Sequence, residues 1–353
     1  MKIELHQSGR AGLDFAASLA RATNQLNRRV GQHLAATLSE DELADDLDAR
    51  AEQVDTTLGN HLPHGMSRLT ADWLWRQHGS ICIDAFDEVS DQLIPALEEL
   101  NKGQCTLTAR SDFEAPDYFT RYWFHNTTGG WDGHDFMGTI QAELVHRRYV
   151  TAKYGSGLRN LRLQLLDQLP AAQYARIFEM GVSGGYYTEQ LAKKFPDATI
   201  LGCDVSRRML EHAQRVGNEA GHGWELHLAA AEDTGQRAAT FDLVTSYALF
   251  HELPAPVQAR VWREAHRLLR PGGVALMADG VPHLDHVNKA MGWRFTHDWR
   301  RGGEPYARDF CTSDDAQLAR DAGFVDVHSA WLGERPFPRY TIAHKRPTKD
   351  GHD

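Results

Sequence analysis

The sequence is poor in cysteine, with four residues in 353, and none of the four belongs to a Cys-x-x-Cys pair. Zinc ribbons need such pairs, and disulfide scaffolds need more cysteines in a shorter chain. Both classes are therefore excluded. Scattered, unpaired cysteines are typical of a reducing compartment, so we expect a cytoplasmic protein.

Long apolar runs and an excess of positive charge are also missing. No segment approaches the ~20 apolar residues of a bilayer-spanning helix, and the first ten residues, MKIELHQSGR, lack the apolar part of a signal peptide. Lys and Arg number 38 against 48 Asp and Glu, a net charge of −10. Nucleic acids are bound by basic surfaces, so we expect neither a nucleic-acid partner nor a membrane partner.

The N-terminal part of the chain has the spacing of amphipathic helices. Apolar residues such as Leu13, Ala16 and Leu19 recur three and four positions apart. We predict a helical domain over residues 1–110 that serves as a lid and a dimer contact, with one short possible strand at 104–109. Residues 111–160 are rich in aromatic side chains and are predicted to form a connecting and lid segment.

From about residue 176 strands and helices alternate. Seven strands are predicted, at 176–180, 199–203, 224–228, 241–246, 274–278, 324–331 and 340–344. Such alternation predicts parallel pairing with right-handed crossovers, here closed by an antiparallel pair at the end. We assign this domain to residues 161–346 and expect a frayed tail at 347–353.

A glycine-rich turn between the first of these strands and the next helix carries the strongest functional signal. Residues 179–185 read EMGVSGG, and glycines allow positive φ and close approach of a ligand to the backbone. Asp204 ends the next strand, where a carboxylate can bind the ribose hydroxyls of an adenosine cofactor. The turn has Gly181, Ser183 and Tyr186 at the glycine positions of G-x-G-x-x-G, and it has no Gly-Lys-Ser/Thr ending. A dinucleotide site and a phosphate loop are therefore not favoured.

The turn resembles the first motif of the class I S-adenosylmethionine-dependent methyltransferases, acid-x-Gly-x-Gly-x-Gly. The resemblance places Glu179 at the acid, Gly181 and Gly185 at the outer glycines, and Ser183 where the middle glycine usually stands. Further stretches at 200–210, 241–252 and 267–273 are similar to later motifs of the family, in the same order and at similar distances.

The resemblance implies an α/β fold, a Rossmann-like seven-stranded and mostly parallel sheet with a helical N-terminal domain, and S-adenosylmethionine as cofactor. Asp204 is expected on the ribose, and Val205 and Met209 near the adenine. Ala230 occupies the place of an acid that usually meets the adenine, so Glu232 or Asp233 is expected to substitute. The full set of expected cofactor-binding residues is Glu179, Gly181, Ser183, Gly185, Asp204, Val205, Met209, Glu232, Asp233 and Ser246.

The acceptor is expected to be a small molecule, because the cofactor brings its own leaving group and the protein must mainly align the acceptor. His251, just past the fourth strand, is the candidate general base, since a histidine with a pKa near neutrality suits that task. It slightly favours hydroxyl or carbon acceptors over nitrogen. Residues expected to bind the acceptor come from the aromatic segment and from the insert at 280–310, and they are Tyr122, Trp123, His125, Trp131, Asp135, Trp293 and His297.

Nineteen histidines raise the question of a metal. Two sets could converge, one of His125, His134, Glu143 and His146, the other of His283, Asp285, His286 and His297. Neither has the tight spacing of an HExxH site, and scattered histidines usually serve packing or the surface, so we expect no bound metal.

The favoured interpretation is a homodimeric methyltransferase of specialised metabolism. Two alternatives stay open at this point. One is an enzyme of the same fold with a non-methylating, cofactor-assisted reaction such as cyclisation or decarboxylation. The other is a non-catalytic protein that senses the cofactor, because fold alone does not decide function.

Overall fold

An open, twisted sheet forms the centre of the protein. The computed structural model describes residues 3–151, 158–334 and 337–348, and this part contains eight strands in the order β1-β4-β3-β2-β5-β6-β8-β7. They are β1 Thr106–Ala109, β2 Arg176–Met180, β3 Thr199–Asp204, β4 Glu225–Leu228, β5 Phe241–Tyr247, β6 Leu269–Asp279, β7 Val325–Trp331 and β8 Arg339–His344. β1 to β6 are parallel, and β8 is antiparallel to both β6 and β7. The predicted Rossmann-like fold class is confirmed.

Helices cover both faces of the sheet and make up most of the N-terminal region. They are α1 Gln7–Thr37, α2 Leu47–Leu58, α3 Leu62–Asp87, α4 Ser90–Glu99, α5 Asp117–Thr120, α6 Met137–Thr139, a π-helix Ile140–Val150, α7 Leu158–Leu166, α8 Tyr186–Lys194, α9 Arg207–Glu219, α10 Ala255–Leu268, α11 Lys289–Gly302, α12 Ala307–Cys311 and α13 Asp315–Asp321. Phe178 on β2 and Leu243 on β5 are fully buried, as expected for parallel strands covered on both faces.

The sheet is one strand larger than the sequence predicts, because the end of the N-terminal region joins its edge. β1 lies parallel to β4, with Thr106 opposite Glu225. Asn218 of α9 holds the approach to this strand: its Oδ1 accepts from the Cys105 amide at 2.8 Å and its Nδ2 donates to the Leu100 carbonyl at 2.8 Å. The helical N-terminal region is thereby joined to the sheet domain at one edge of the sheet.

The N-terminal helices pack against the π-helix, which in turn faces the carboxyl ends of the strands. Leu13 of α1 and Phe86 of α3 share one apolar cluster with Ile140 and Leu144 of the π-helix. Small residues such as Ala16 and Ala20 are fully buried on α1, which lets the helices approach closely. The helical lobe therefore forms one wall of the space above the sheet.

None of the helices in the described ranges combines the length and the apolar character needed to cross a membrane. The domain boundaries predicted at 110, 160 and 346 stay predictions. Residues 152–157, near the end of the predicted lid segment, and 349–353, most of the predicted tail, lie outside the described residues.

Candidate functional site

The glycine-rich turn after β2 adopts the left-handed backbone that its sequence favours. φ is +74° at Gly181, +50° at Ser183 and +83° at Gly185. A Cβ on Gly181 would lie 3.0 Å from Cδ1 of Leu249, so the position is crowded, and its positive φ favours glycine. Ser183 adopts its strained conformation without being glycine, and its amide is held by Asp204. The turn and β3 border a cavity, called the cofactor cavity below, at the carboxyl ends of the strands.

Asp204 ties two loops of the cofactor cavity together. Its Oδ2 accepts from the Ser183 amide at 2.8 Å and its Oδ1 from the Ser206 amide at 2.9 Å. Burial raises the pKa of Asp204 to about 6, although these two hydrogen bonds oppose the shift. A carboxylate oxygen has two acceptor positions, so both oxygens can also meet hydroxyl groups of a ligand.

Glu179 and Arg162 form the polar floor of the cavity. Glu179 is buried, accepts from the Thr188 hydroxyl at 2.6 Å, and has its pKa raised by burial to about 8. The Arg162 guanidinium of α7 lies over the Tyr247 ring at 4.9 Å and also lines the cavity. Sequence reasoning missed Arg162 because α7 precedes the first recognisable motif and carries no motif of its own.

Most of the predicted cofactor residues border this cavity. Those that line it are Glu179, Gly181, Ser183, Asp204, Val205 and Met209. Gly185 lies behind them, as the N-cap residue of α8. Ala229 and Ala231 continue the wall beside Tyr118, which leaves this end of the cavity apolar.

Three predicted cofactor residues lie elsewhere. The Asp233 side chain is 72 % exposed and pairs with Arg110 at 3.2 Å. Glu232 accepts from the Tyr118 hydroxyl at 2.9 Å, so it supports the wall from behind. Ser246 is buried, with its hydroxyl 3.2 Å from the Met277 sulfur. Ser246 lies within the buried part of β5, whereas Glu232 and Asp233 follow β4 and have their carboxylates engaged by Tyr118 and Arg110.

The aromatic segment covers the cavity and is anchored at the start of α9. Oδ1 of Asp132 accepts from the Ser206 hydroxyl at 2.7 Å and from the Arg208 amide at 3.1 Å. A carboxylate at a helix N-terminus satisfies free amides and suits the helix dipole. The neighbouring Trp131 thereby lines the cavity, 5.3 Å from the His125 ring.

His251 and Asp279 form an imidazole–carboxylate pair at the cavity wall. His251 lies in the turn Phe250–Glu252 after β5, and its Nδ1 is 2.9 Å from both oxygens of Asp279, the last residue of β6. Burial lowers the pKa of His251, but Asp279 and the nearby Glu252 and Glu304 outweigh it and raise the pKa to about 10. This upward shift differs from the near-neutral pKa expected from the sequence. Asp279 lies beside His251 because β5 and β6 are neighbours in the sheet and their carboxyl ends meet.

His125 is the second histidine at this wall, and two glutamates face it. Its Nε2 lies 2.9 Å from Oε1 of Glu304 and 3.4 Å from Oε1 of Glu252. Burial opposes a charge on the ring, yet the two carboxylates raise the pKa of His125 well above its usual value. Burial and Glu304 raise the pKa of Glu252. Burial acts in the same sense on Glu304, but contact with His125 lowers its pKa overall.

The other residues predicted to bind the acceptor are dispersed. Tyr122 and Trp123 are 41 % and 58 % exposed, and Asp135 pairs with Arg208 at 2.5 Å on the outer surface. Trp293 and His297 line a separate groove between α11 and the first and third helices. Only His125 and Trp131 of the predicted set border the cofactor cavity.

A second cavity adjoins the first beneath the helical lobe. It lies between α1, α3, the π-helix and α11, and its wall includes Asn27, Trp75, Tyr149, Arg294 and Phe295. His125 and His146 border both cavities. Burial lowers the pKa of His146 to about 3, so this histidine is neutral at the junction. Sequence reasoning missed the cavity because its walls come from four distant segments.

Comparison with known proteins agrees with this geometry. Residues 177–273 match the family model described as a methyltransferase domain. The ubiquinone biosynthesis O-methyltransferase of Aromatoleum aromaticum is 31 % identical over 209 residues, which are 55 % of this chain and 84 % of that protein. The trans-aconitate 2-methyltransferase of Deinococcus radiodurans is 35 % identical over 130 residues, and the match spans 44 % of its length.

A candidate O-methyltransferase from Nostoc punctiforme superposes with a TM-score of 0.48 at 14 % identity, over 95 % of each chain. The glycine turn, the order of the strands in the sheet and the match to the Aromatoleum protein together indicate an enzyme that binds an adenosine-containing cofactor. The chain belongs to the class I S-adenosylmethionine-dependent methyltransferases. The wall of the cofactor cavity fits that cofactor, because it combines a glycine turn, a carboxylate at the end of β3, a cation and an apolar end.

Proposed function

We propose that this enzyme methylates an oxygen atom of a small, partly apolar molecule. The observation that carries the proposal is the His251–Asp279 pair, whose imidazole borders the cofactor cavity next to Glu252. A hydroxyl acceptor loses a proton when it is methylated, and a histidine held by a carboxylate is suited to take it. The family relative from Aromatoleum is named as an O-methyltransferase, which supports an oxygen acceptor over a carbon one.

For the cofactor we propose a specific set of contacts. Asp204 binds the ribose, Val205 and Met209 pack on the adenine, and Arg162 faces the carboxylate of the methionine part. Glu179 and the turn from Gly181 to Ser183 hold the remaining polar groups. S-adenosylmethionine supplies the electrophilic methyl group when it is bound. Glu232, Asp233 and Ser246 are left out of this set because they do not border the cavity.

His251 is proposed as the general base. Asp279 fixes the ring through Nδ1, which leaves Nε2 as the proton acceptor. Asp279, Glu252 and Glu304 raise the pKa of His251 to about 10, so they stabilise the imidazolium that forms when the ring accepts the proton.

The second cavity is proposed as the acceptor site. Its aromatic and aliphatic walls suit a molecule with an apolar body, and Asn27 and Arg294 offer polar contacts at its rim. Since the cavity lies under α1 and α3, the helical lobe selects the acceptor while the sheet domain holds the cofactor. Trp131 and His125 are the predicted acceptor residues that stay in this proposal.

The proposal is tested by turnover of a panel of hydroxylated small molecules with S-adenosylmethionine, followed by product mass. His251→Asn removes the base and is expected to lower kcat by on the order of 10²–10⁴. Asp135→Asn is the matched control, because it changes a residue predicted to bind acceptor that lies on the outer surface, and it leaves kcat unchanged. Equal turnover by the wild type and His251→Asn contradicts the base assignment.

We further propose a homodimer in the cytoplasm. Four apolar side chains at helical spacing are exposed on α3, Leu62, Met66, Leu69 and Trp73, and Phe15 of α1 lies edge-on to Trp73 at 5.5 Å. We call these five residues the α3 strip. An apolar strip of this kind favours contact with a second copy. All four cysteines are buried as free thiols, which suits a reducing compartment. A role in specialised metabolism stays a prediction.

A further inference from the structure

The group of His125, Glu252 and Glu304 has the geometry of a cation site. One ligand atom from each residue can be chosen so that all three lie within 4.8 Å of one another. The distances from His125 Nε2, 2.9 Å to Glu304 and 3.4 Å to Glu252, match the edges of a coordination polyhedron. Bonds of about 2.0–2.2 Å to a divalent ion place neighbouring ligand atoms about 3 Å apart.

Each of the two glutamates has a carboxylate oxygen that is available to coordinate an ion. Oε2 of Glu252 and Oε2 of Glu304 are each buried without a hydrogen-bond partner. An unsatisfied buried carboxylate oxygen costs free energy, because it has lost water and received nothing in return. Two carboxylates that converge on one histidine also repel each other, and a divalent cation removes both costs together.

The backbone is strained at the turns that bring these residues together. His125 and Asn126 have φ of +57° and +53°, a conformation that residues other than glycine rarely adopt. The His125 amide donates to the Gly303 carbonyl at 3.0 Å, and this bond sets Glu304 beside the imidazole. Gly303 itself has φ of +82°, and a Cβ there would lie 2.5 Å from the Asn126 amide nitrogen. Strain of this kind gathers at functional sites.

We propose that His125, Glu252 and Glu304 bind a divalent first-row metal ion at the junction of the two cavities. One imidazole and two carboxylates suit Mn²⁺, Fe²⁺ or Zn²⁺, because imidazole favours the later ions of the row and carboxylates the harder ones. Three protein ligands leave coordination positions open, as in catalytic metal sites. This proposal departs from the expectation of no metal, and of the two histidine sets suggested by the sequence only His125 takes part in it.

The position gives the ion a use in the proposed reaction, and this step rests on the proposed function. His125 and Glu252 border the cofactor cavity, whereas His125 and Glu304 border the second cavity. An ion held there would act as a Lewis acid on an acceptor oxygen and would make the acceptor hydroxyl more acidic. His251 lies beside the site, with its Nε2 3.5 Å from Oε1 of Glu252. The acceptor class this favours carries an oxygen able to bind a metal.

The test is metal binding by the full-length protein, without acceptor or cofactor. The protein is stripped with a chelator, dialysed and titrated with Mn²⁺, and free Mn²⁺ is followed by electron paramagnetic resonance. We expect one tight site per chain. Glu304→Gln and His125→Asn each remove one ligand and are expected to weaken binding by at least about 100-fold, since changes even beyond the direct ligands cost 10–100-fold.

His286→Gln is the matched control, because it removes a histidine from the other set that the sequence suggested. It leaves Mn²⁺ binding unchanged. Circular dichroism melting identifies a variant that has failed to fold. If one of the two ligand variants fails to fold, the Mn²⁺ affinity of the other ligand variant tests the site. No binding of Mn²⁺, Fe²⁺ or Zn²⁺ by the wild type, or equal binding by the wild type and the ligand variants, overturns the proposal. Methyl transfer is measured separately on the same preparations, so a failure of the proposed reaction is told apart from a failure of the metal site.

Discussion

At the scale of single residues, Asp204 and Asp233 show how similar side chains separate in the fold. Both are acids that the sequence assigns to the cofactor. Asp204 lies inside the cofactor cavity and accepts two backbone hydrogen bonds. Asp233 is exposed and pairs with Arg110. Its ion pair is a solvent-exposed one, which contributes little free energy.

This contrast makes the two aspartates a matched pair for a binding experiment. Asp204→Ala is expected to weaken binding of S-adenosylmethionine by about 1–3 kcal/mol, the range for lost hydrogen bonds to a charged group. Asp233→Ala is expected to bind like the wild type. Isothermal titration calorimetry measures both, with thermal melting to show that each variant is folded. An unchanged dissociation constant for Asp204→Ala, or a loss with Asp233→Ala, contradicts the assignment.

At the scale of elements, the contact of α6 with α9 joins the aromatic segment to the sheet domain. The two helices approach so closely that a Cβ on Gly138 would lie 2.0 Å from the Arg208 carbonyl oxygen. His212 is buried in this contact, with its Nδ1 3.1 Å from the Thr139 hydroxyl. Burial, aided by the cation of Arg215, lowers the pKa of His212 to about 3. Sequence patterns predict α9 but not this packing, because Gly138 and His212 lie far apart in the chain.

A pH dependence of stability follows from His212. The unfolded chain protonates this histidine below about pH 6.5, whereas the folded protein keeps it neutral down to about pH 3. Stability contributed by this group is therefore present above pH 6.5 and is lost as the pH falls from 6.5 towards 3. The wild-type free energy of unfolding is expected to fall between pH 7.5 and pH 5.5 because His212 is protonated only in the unfolded chain. For His212→Gln this fall is expected to be smaller by about 1.4 kcal/mol.

Urea unfolding at the two pH values measures this difference. The exposed His328 of β7 provides the control, since solvent reaches it in the folded and the unfolded chain alike. His328→Gln is expected to keep the wild-type dependence on pH. If His212→Gln also keeps it, the buried histidine does not contribute in the way described.

At the scale of the whole molecule, the α3 strip is an apolar surface that stays exposed to solvent. Leu62 and Leu69 are 72 % and 71 % exposed, on a helix whose other face packs into the lobe. Leu69→Glu places a charge in the middle of the strip and is expected to weaken self-association at least tenfold, as for a residue at the centre of an interface. Sedimentation velocity at several protein concentrations measures the association.

Leu163→Glu, on the surface of α7, introduces the same charge away from the α3 strip and is expected to leave association unchanged. A wild-type protein that sediments as a monomer at tens of micromolar contradicts the dimer proposal. The second cavity lies within one chain, so the proposed acceptor site does not depend on this outcome.

The sequence by itself determined the fold class and the place of the cofactor site along the chain. These depend on local patterns: the glycine turn at residues 181–185, the aspartate that ends β3, and the alternation of strands and helices. Such patterns are readable because the backbone conformation and the close approach of a ligand restrict which residues fit at each position. The family resemblance added the identity of the cofactor.

Only the tertiary structure decided which polar residues meet at the reaction site. Asp279 joins His251 because β5 and β6 are neighbours, and Glu304 joins His125 through a hydrogen bond between two turns far apart in the chain. Trp293 and His297, by contrast, turn away into another groove. Side-chain type shows what a residue can do, but its partners depend on long-range packing, which leaves no periodic or spaced signal in the chain.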